Sequence, residues 1–344
     1  MRQQHNNTHT TQWNVHEIVL LIAIPAIVLI AALSIGRYPV SINSLASALT
    51  AHLNGQPMDA SQLALIRVRM PRVLIAMIIG ASLSASGAAF QGLFKNPVVS
   101  PDLLGASSGA SFGAALSILL GAGIIGTQLS SFIVGLIAVM IVAAMNMLLS
   151  KRAQSTLTLI LCGILVSSLF NAFVSLIKAV ADTDTKLPAI TFWLMGGLSS
   201  TTLDDLRIVF IFLPTIMLLL CVRWKINVLA MGDEEAHMLG VNVTLYRWII
   251  IICATLLTSL SVSIAGNVGW VGLVVPHLAR MLVGSNYLKL LPATLIMGAS
   301  FLLLVDTFAR MLFTVEIPLS IITAIIGAPF FFYLMLRNRK GFGA

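Results

Sequence analysis

Residues 67–110 read RVRMPRVLIAMIIGASLSASGAAFQGLFKNPVVSPDLLGASSGA. Arg67, Arg69 and Arg72 stand at the mouth of an apolar helix. Small residues then recur along it: Gly80, Ala81, Ser82, Ser84, Ala85, Ser86, Gly87, Ala88 and Ala89. Small side chains let helix backbones approach closely in lipid, where packing takes over from the hydrophobic effect. Lys95-Asn96-Pro97 interrupts the run before a second apolar stretch opens at Pro101. Arginines at a helix mouth, a small-residue face and a helix break point to a membrane protein that handles a solute, not a simple anchor.

Working outward, the composition agrees. The chain is 58% hydrophobic and only 9% charged, against about 25% charged residues in a soluble domain. Lipid is therefore its solvent. At roughly 20 residues per spanning helix, apolar stretches account for most of the 344 residues. They leave room for one polytopic transmembrane domain over 1–344 and for no sizeable soluble one. The pattern predicts an all-α protein with about ten spans, near 17–36, 70–91, 101–121, 126–149, 157–179, 206–222, 246–265, 271–284, 290–311 and 318–336. Residues 1–16 form a polar tail, and the first apolar run lacks a clear cleavage site, so it reads as a retained helix.

Two spans, those opening at Pro101 and Val271, are interrupted by Gly, Ser or Pro. Lipid excludes exposed irregular backbone, so these belong inside the bundle. Ile42, Leu45, Leu49 and Leu53 predict an amphipathic surface helix over 41–53. Residues 189–198, AITFWLMGGL, read as a short re-entrant or interfacial segment.

The net charge of +8 is spread over loop ends, with no dense basic run, and carries no nucleic-acid signature. Cys162, Cys221 and Cys253 have no metal or redox spacing and read as small buried hydrophobes. With both termini in the cytoplasm, twelve Lys and Arg fall on the inner side and eight on the outer, as the positive-inside rule prefers. Arg67, Arg69 and Arg72 depart from that rule by crowding one outer loop. Arginine binds carboxylates through a planar fork, so an acidic partner is one reading. Headgroup snorkelling or helix capping is the other.

The cytoplasmic loop 228–245 contains Gly232-Asp233 followed by Glu234, Glu235, Ala236, His237, Met238, Leu239 and Gly240. Acids in a first turn suit the helix dipole. Ala236, Met238 and Leu239 offer an apolar face and Gly240 a stop. Such a helix either sits in a partner's groove or is an ordinary solvated loop helix. In GNVGWVGLVVPHLAR (266–280), His277 has no clear acidic neighbour and reads as structural. Asp306 and Arg310 lie four apart on one helix face and can pair; an unpaired charge at mid-bilayer costs about 2.5–3.5 kcal/mol.

No phosphate-binding loop, HExxH, nucleophile elbow or paired catalytic carboxylates appear, so the chain is not expected to hydrolyse ATP or to be an enzyme. Intramembrane acids, which a proton-driven carrier usually needs, are sparse, so a secondary transporter driven by protons or sodium stands as the alternative rather than the first reading.

Taken in order, several pieces resemble a known family. They are Arg69-Met70-Pro71-Arg72, GASLSASG (80–87), QGLFKNP (91–97), PDLLG (101–105), EEAHMLGVNV (234–243), VGLVVPHLAR (271–280), DTFAR (306–310), Glu316-Ile317-Pro318 and Gly327-Ala328-Pro329. The chain resembles the permease subunits of type II ATP-binding-cassette importers of the iron-siderophore, haem and cobalamin group, the FecCD type. The resemblance implies a ten-helix permease in the bacterial inner membrane that works as a dimer, with a second copy of itself expected. Two ATPase subunits would bind below and use ATP and Mg, with no cofactor or metal held in this chain. A substrate-binding protein would dock above. The resemblance also implies that Arg69, Arg72 and Arg310 receive that protein's acidic residues. Glu234–Gly240 would be the ATPase coupling helix, and Gln154, Ser155 and Thr156 the cytoplasmic gate. The expected cargo is a metal chelate, ferric siderophore first, with haem, cobalamin or an oxyanion such as molybdate as alternatives. The chain departs from the family pattern at Lys95 and Val98-Val99, at Asn286-Tyr287-Leu288 and at Ser320.

Overall fold

The computed structural model describes residues 13–35, 42–149 and 156–337, and no strand occurs among them. The helices in chain order are α1 (Val15–Ser34), α2 (Ile42–Leu53), α3 (Ala60–Ala64), α4 (Met70–Leu93), α5 (Ala106–Leu120), α6 (Gly123–Leu149), α7 (Thr156–Val180) and α8 (Lys186–Met195). They continue with α9 (Val209–Cys221), α10 (Arg223–Met231), α11 (Asp233–Met238), α12 (Val243–Ala265), α13 (Val271–Val283), α14 (Tyr287–Met311) and α15 (Leu319–Arg337).

Among the described residues, six helical bodies are long and apolar enough to cross a bilayer, seven if α9 and α10, bent by 50°, form one span. The other three expected spans are the shorter apolar helices α5, α13 and α15. At 1.5 Å per residue, the 13 residues of α13 fall well short of a hydrocarbon core of about 30 Å. This helix therefore crosses only with the non-helical segment before it, as its glycines suggested.

The second span begins ten residues earlier than expected. A continuous helical body runs from Ala60 to Leu93, through a π turn at Leu65–Arg69 in which the Met70 N–H bonds the Leu65 carbonyl. Pro71 accounts for the turn: its ring has no N–H and crowds the carbonyl one turn back, and a wider turn relieves both. The arginines thus lie within the helix rather than before it.

Helices α4 and α12 are the most enclosed, and α4 packs on α12, α13 and α14. The small residues make this packing. A Cβ on Gly80 would overlap the Gly298 carbonyl, and one on Gly87 the Gly272 carbonyl. Two hydroxyls of α4 bond back to their own helix or across to the next, while that of Ser82 is buried with no partner among the described residues. Ser84 donates to the Gly80 carbonyl at 2.6 Å and Ser86 to the Ala254 carbonyl at 2.7 Å.

The expected segment over 189–198 is helix α8, closed by Gly196 at φ +75°. The turn before it is fixed by Asp182, which accepts from the Thr185 hydroxyl and backbone N–H. These bonds hold its carboxyl below the usual range. Helix α2 forms where the periodicity placed it, but it buries Ala48 and Ala51 and leaves Leu53 exposed. Cys162 and Cys253 are buried as expected, whereas Cys221 is exposed on α9, against the reading of it as a buried hydrophobe.

Candidate functional sites at the two ends of the bundle

Three features stand out: a charged cluster where α4 and α14 meet, the short helix α11 at the other end, and the exposed face of α7.

The charged cluster joins α4, α14 and the loop into α15. Arg72 lies with both edges of its guanidinium filled. Its Nη2 and Nε donate to Asp306 at 2.8 and 3.0 Å, and Nη1 and Nη2 donate to Glu316 at 2.9 Å each. Asp306 is fully buried and also takes Arg310 Nε at 3.1 Å. The side chains of Arg72 and Arg310 are 9% and 12% exposed. The pairing of Asp306 with Arg310 read from the sequence is present. The link from Arg72 to Glu316, 244 residues away, had no local signal.

The three arginines expected to act together are therefore unlike one another. Arg72 is enclosed and bound on both sides. Arg69 is half-buried and reaches the Leu33 carbonyl at the end of α1 at 2.6 Å. Arg310 is held by one carboxylate edge and leans toward the Thr307 hydroxyl at 3.4 Å. Arg67, not singled out by the resemblance, is exposed in the π turn.

At the other end, α11 spans Asp233–Met238, with Gly240 at φ +72° just beyond it. Ala236 is buried, but Met238 and Leu239 are 79% and 55% exposed. The apolar face expected from Ala236, Met238 and Leu239 is thus split, with two of its members facing outward. Arg247 in the first turns of α12 grips Asp233 at 2.8 Å, tying α11 to a spanning helix. Of the expected gate, Gln154 and Ser155 lie outside the described residues, and Thr156 opens α7.

Helix α7 has one buried face, formed by Leu159, Cys162, Val166, Phe170, Val174 and Ile177. Its exposed side carries Ser168, Asn171 and Ser175, a polar stripe with helical spacing. Ser168 and Ser175 bond their own helix at 2.8 and 3.0 Å. A cavity of about 520 Å³ opens between α6, α8, α12 and the end of α5, lined by Lys186, Phe192, Trp193, Gln128 and Ser199. Among the described residues no group of three or more His, Cys, Asp or Glu could hold a metal.

With this geometry in place, comparison with known proteins decides the family. Residues 21–337 match the model of the FecCD transport family. The chain belongs to this family. It is 40% identical over 328 residues to the molybdate import system permease protein of Haemophilus influenzae, covering 94% of this chain and 95% of that one. It is 37% identical over 280 residues to the hemin transport system permease protein of Yersinia pestis, covering 80% and 84%. A solved inward-facing metal-chelate type ABC transporter superposes with a TM-score of 0.84 at 39% identity, covering 94% of this chain and 99% of that one. FecCD membership makes this chain the transmembrane permease of an ATP-binding-cassette importer.

Proposed function

We propose that the chain is one of two permease copies that pass a metal chelate inward along their shared axis, with ferric siderophore as the first candidate cargo. The observation that carries this reading is the exposed side of α7. From Leu161 to Leu176 it presents aliphatic and aromatic side chains with hydroxyls and one amide, and no charge until Lys178. An amide on a helix facing lipid is unfavourable, so this stripe faces a second copy and a water-filled path. A wall of weak, uncharged contacts lets a bulky chelate through without holding it.

Fuel and selection come from partners. Two ATPase subunits bind the cytoplasmic face, where exposed Met238 and Leu239 of α11 enter a groove and Asp233–Arg247 carries the motion into α12. ATP and Mg are used there. A substrate-binding protein docks on the opposite face and sets acidic residues against the rim formed by Arg67, Arg69 and Arg310. Both termini lie in the cytoplasm of a bacterium, and the whole chain acts as one transmembrane unit in the inner membrane.

A second reading, molybdate as cargo, is favoured by the 40% identity to a molybdate permease across nearly the whole chain. Vesicles holding the permease, its ATPase and its binding protein distinguish the two. ATP-dependent accumulation of ferric siderophore but not molybdate is expected. Accumulation of molybdate alone selects the second reading, and uptake driven by an ion gradient without ATP rejects both.

A further inference from the structure

We infer that Arg72 is a positioning residue that links the docking rim to α15 through Asp306 and Glu316, and is not itself a docking residue. The inference rests on the proposed docking of an acidic binding protein at the rim.

A guanidinium bonded on both edges offers no edge to a third carboxylate. Arg72 is in that state, with Asp306 on one edge and Glu316 on the other. Arg310 is not. Its Nε meets the Asp306 carboxylate at 3.1 Å and the Asp306 backbone carbonyl at 3.4 Å, and its Nη2 meets the Thr307 hydroxyl at 3.4 Å, so its end-on edge can take an incoming carboxylate. That carboxylate competes with Asp306 for Arg310. Asp306, fully buried, then has only Arg72 to neutralise it. As Arg72 turns toward Asp306, its hold on Glu316 weakens.

Glu316 lies three residues before α15. The first turn of α15 is bonded to the end of α8, with the Leu319 N–H on the Gly196 carbonyl at 2.9 Å and the Ser320 hydroxyl on the Met195 carbonyl at 2.6 Å. Bound or released, Glu316 thus sets α15 and α8 together, and coupling requires such an element with two arrangements. Helices α4 and α14 already meet through Gly80 and Gly298. The charges are therefore not what brings these helices into contact.

The test uses the assembled permease, ATPase and binding protein in lipid nanodiscs. Two quantities are measured: affinity for the loaded binding protein, and its stimulation of ATP hydrolysis. Glu316→Gln keeps the Arg72–Asp306 pair. It should bind within about twofold of wild type yet lose about tenfold in stimulation, a usual size for coupling between sites. Glu316→Asp should recover part of that stimulation. Arg72→Lys, which keeps the charge but cannot fill both edges, should show the same split as Glu316→Gln. Arg310→Gln should instead lose affinity by about tenfold.

Equal loss of affinity in Glu316→Gln and Arg310→Gln would overturn the inference, as would full stimulation in Glu316→Gln or no recovery in Glu316→Asp. If the wild-type complex shows no stimulation at all, the docking reading itself fails, which is a separate result.

Discussion

Lys289 at the start of α14 donates to Glu17 at the start of α1 across 3.2 Å, and both side chains are almost wholly enclosed, at 6% and 5% exposed. Trp13 lies beside the ammonium at 5.7 Å. This pair fastens the first helix to the bundle. Removing one partner of a buried pair leaves a bare charge, at a cost of about 3–5 kcal/mol, while removing both is often near neutral. Lys289→Met should therefore lower the thermal unfolding temperature in detergent sharply, and Glu17→Gln with Lys289→Met should recover most of it. A double variant as unstable as the single would contradict the pairing.

Close backbone contact makes Gly87 intolerant. Any Cβ there overlaps the Gly272 carbonyl, whereas a Cβ at Gly269 meets nothing within 4 Å. Overpacking costs typically 1–3 kcal/mol and occasionally more, and here the obstacle is backbone. Gly87→Val should abolish the monodisperse peak in size-exclusion chromatography, and Gly269→Ala should leave it unchanged. Similar behaviour of the two would remove α4–α13 packing as the role of this glycine.

At the rim, Arg67→Glu combined with Arg69→Glu should weaken binding-protein affinity by about tenfold or more, since like charges facing each other cost several kcal/mol. Arg67→Glu alone should change thermal stability little because Arg67 is exposed, whereas Arg69→Glu also loses its bond to the Leu33 carbonyl, so Arg69→Gln serves as the control that separates lost packing from lost docking. Wild-type affinity in this double variant, measured by surface plasmon resonance, would contradict docking at these residues.

Met238 is 79% exposed, so Met238→Glu should leave the permease folded. Placed in an apolar groove of the ATPase, the new carboxylate should reduce co-purification of that subunit. Undiminished co-purification and coupled transport would mean that α11 is an ordinary loop helix.

Asn171 presents an amide on the exposed side of α7. Asn171→Leu should slow cargo uptake while leaving stimulated ATP hydrolysis near its wild-type level. Unchanged uptake would place that face against lipid or at a dry contact between copies.

Much of the architecture was legible in one dimension. Apolar length marked the six long helices and the bent pair α9 and α10, and Gly, Pro and Ser marked two of the three shorter ones, α5 and α13, because lipid imposes a length and forbids open backbone. The start of α4 was not legible. Arg67 and Arg69 read as a helix boundary, yet one lies open and the other half-buried on a helix that continues through a π turn. Ala236, Met238 and Leu239 read as one apolar face for a partner's groove or for solvent, and the fold buries the first and leaves the other two outward. Periodicity shows that residues share a side but not whether this chain covers that side.

Local chemistry by itself determined a ladder of apolar helices with a cluster of arginines and a short acidic helix, and the ordered motifs added the resemblance to a FecCD permease. The fate of each charge was decided only in three dimensions. Whether a guanidinium meets a partner or is consumed within its own fold depends on residues hundreds of positions away. Asp306 and Glu316 reach Arg72 only because α4 and α14 pack glycine on glycine and the chain then turns back before α15.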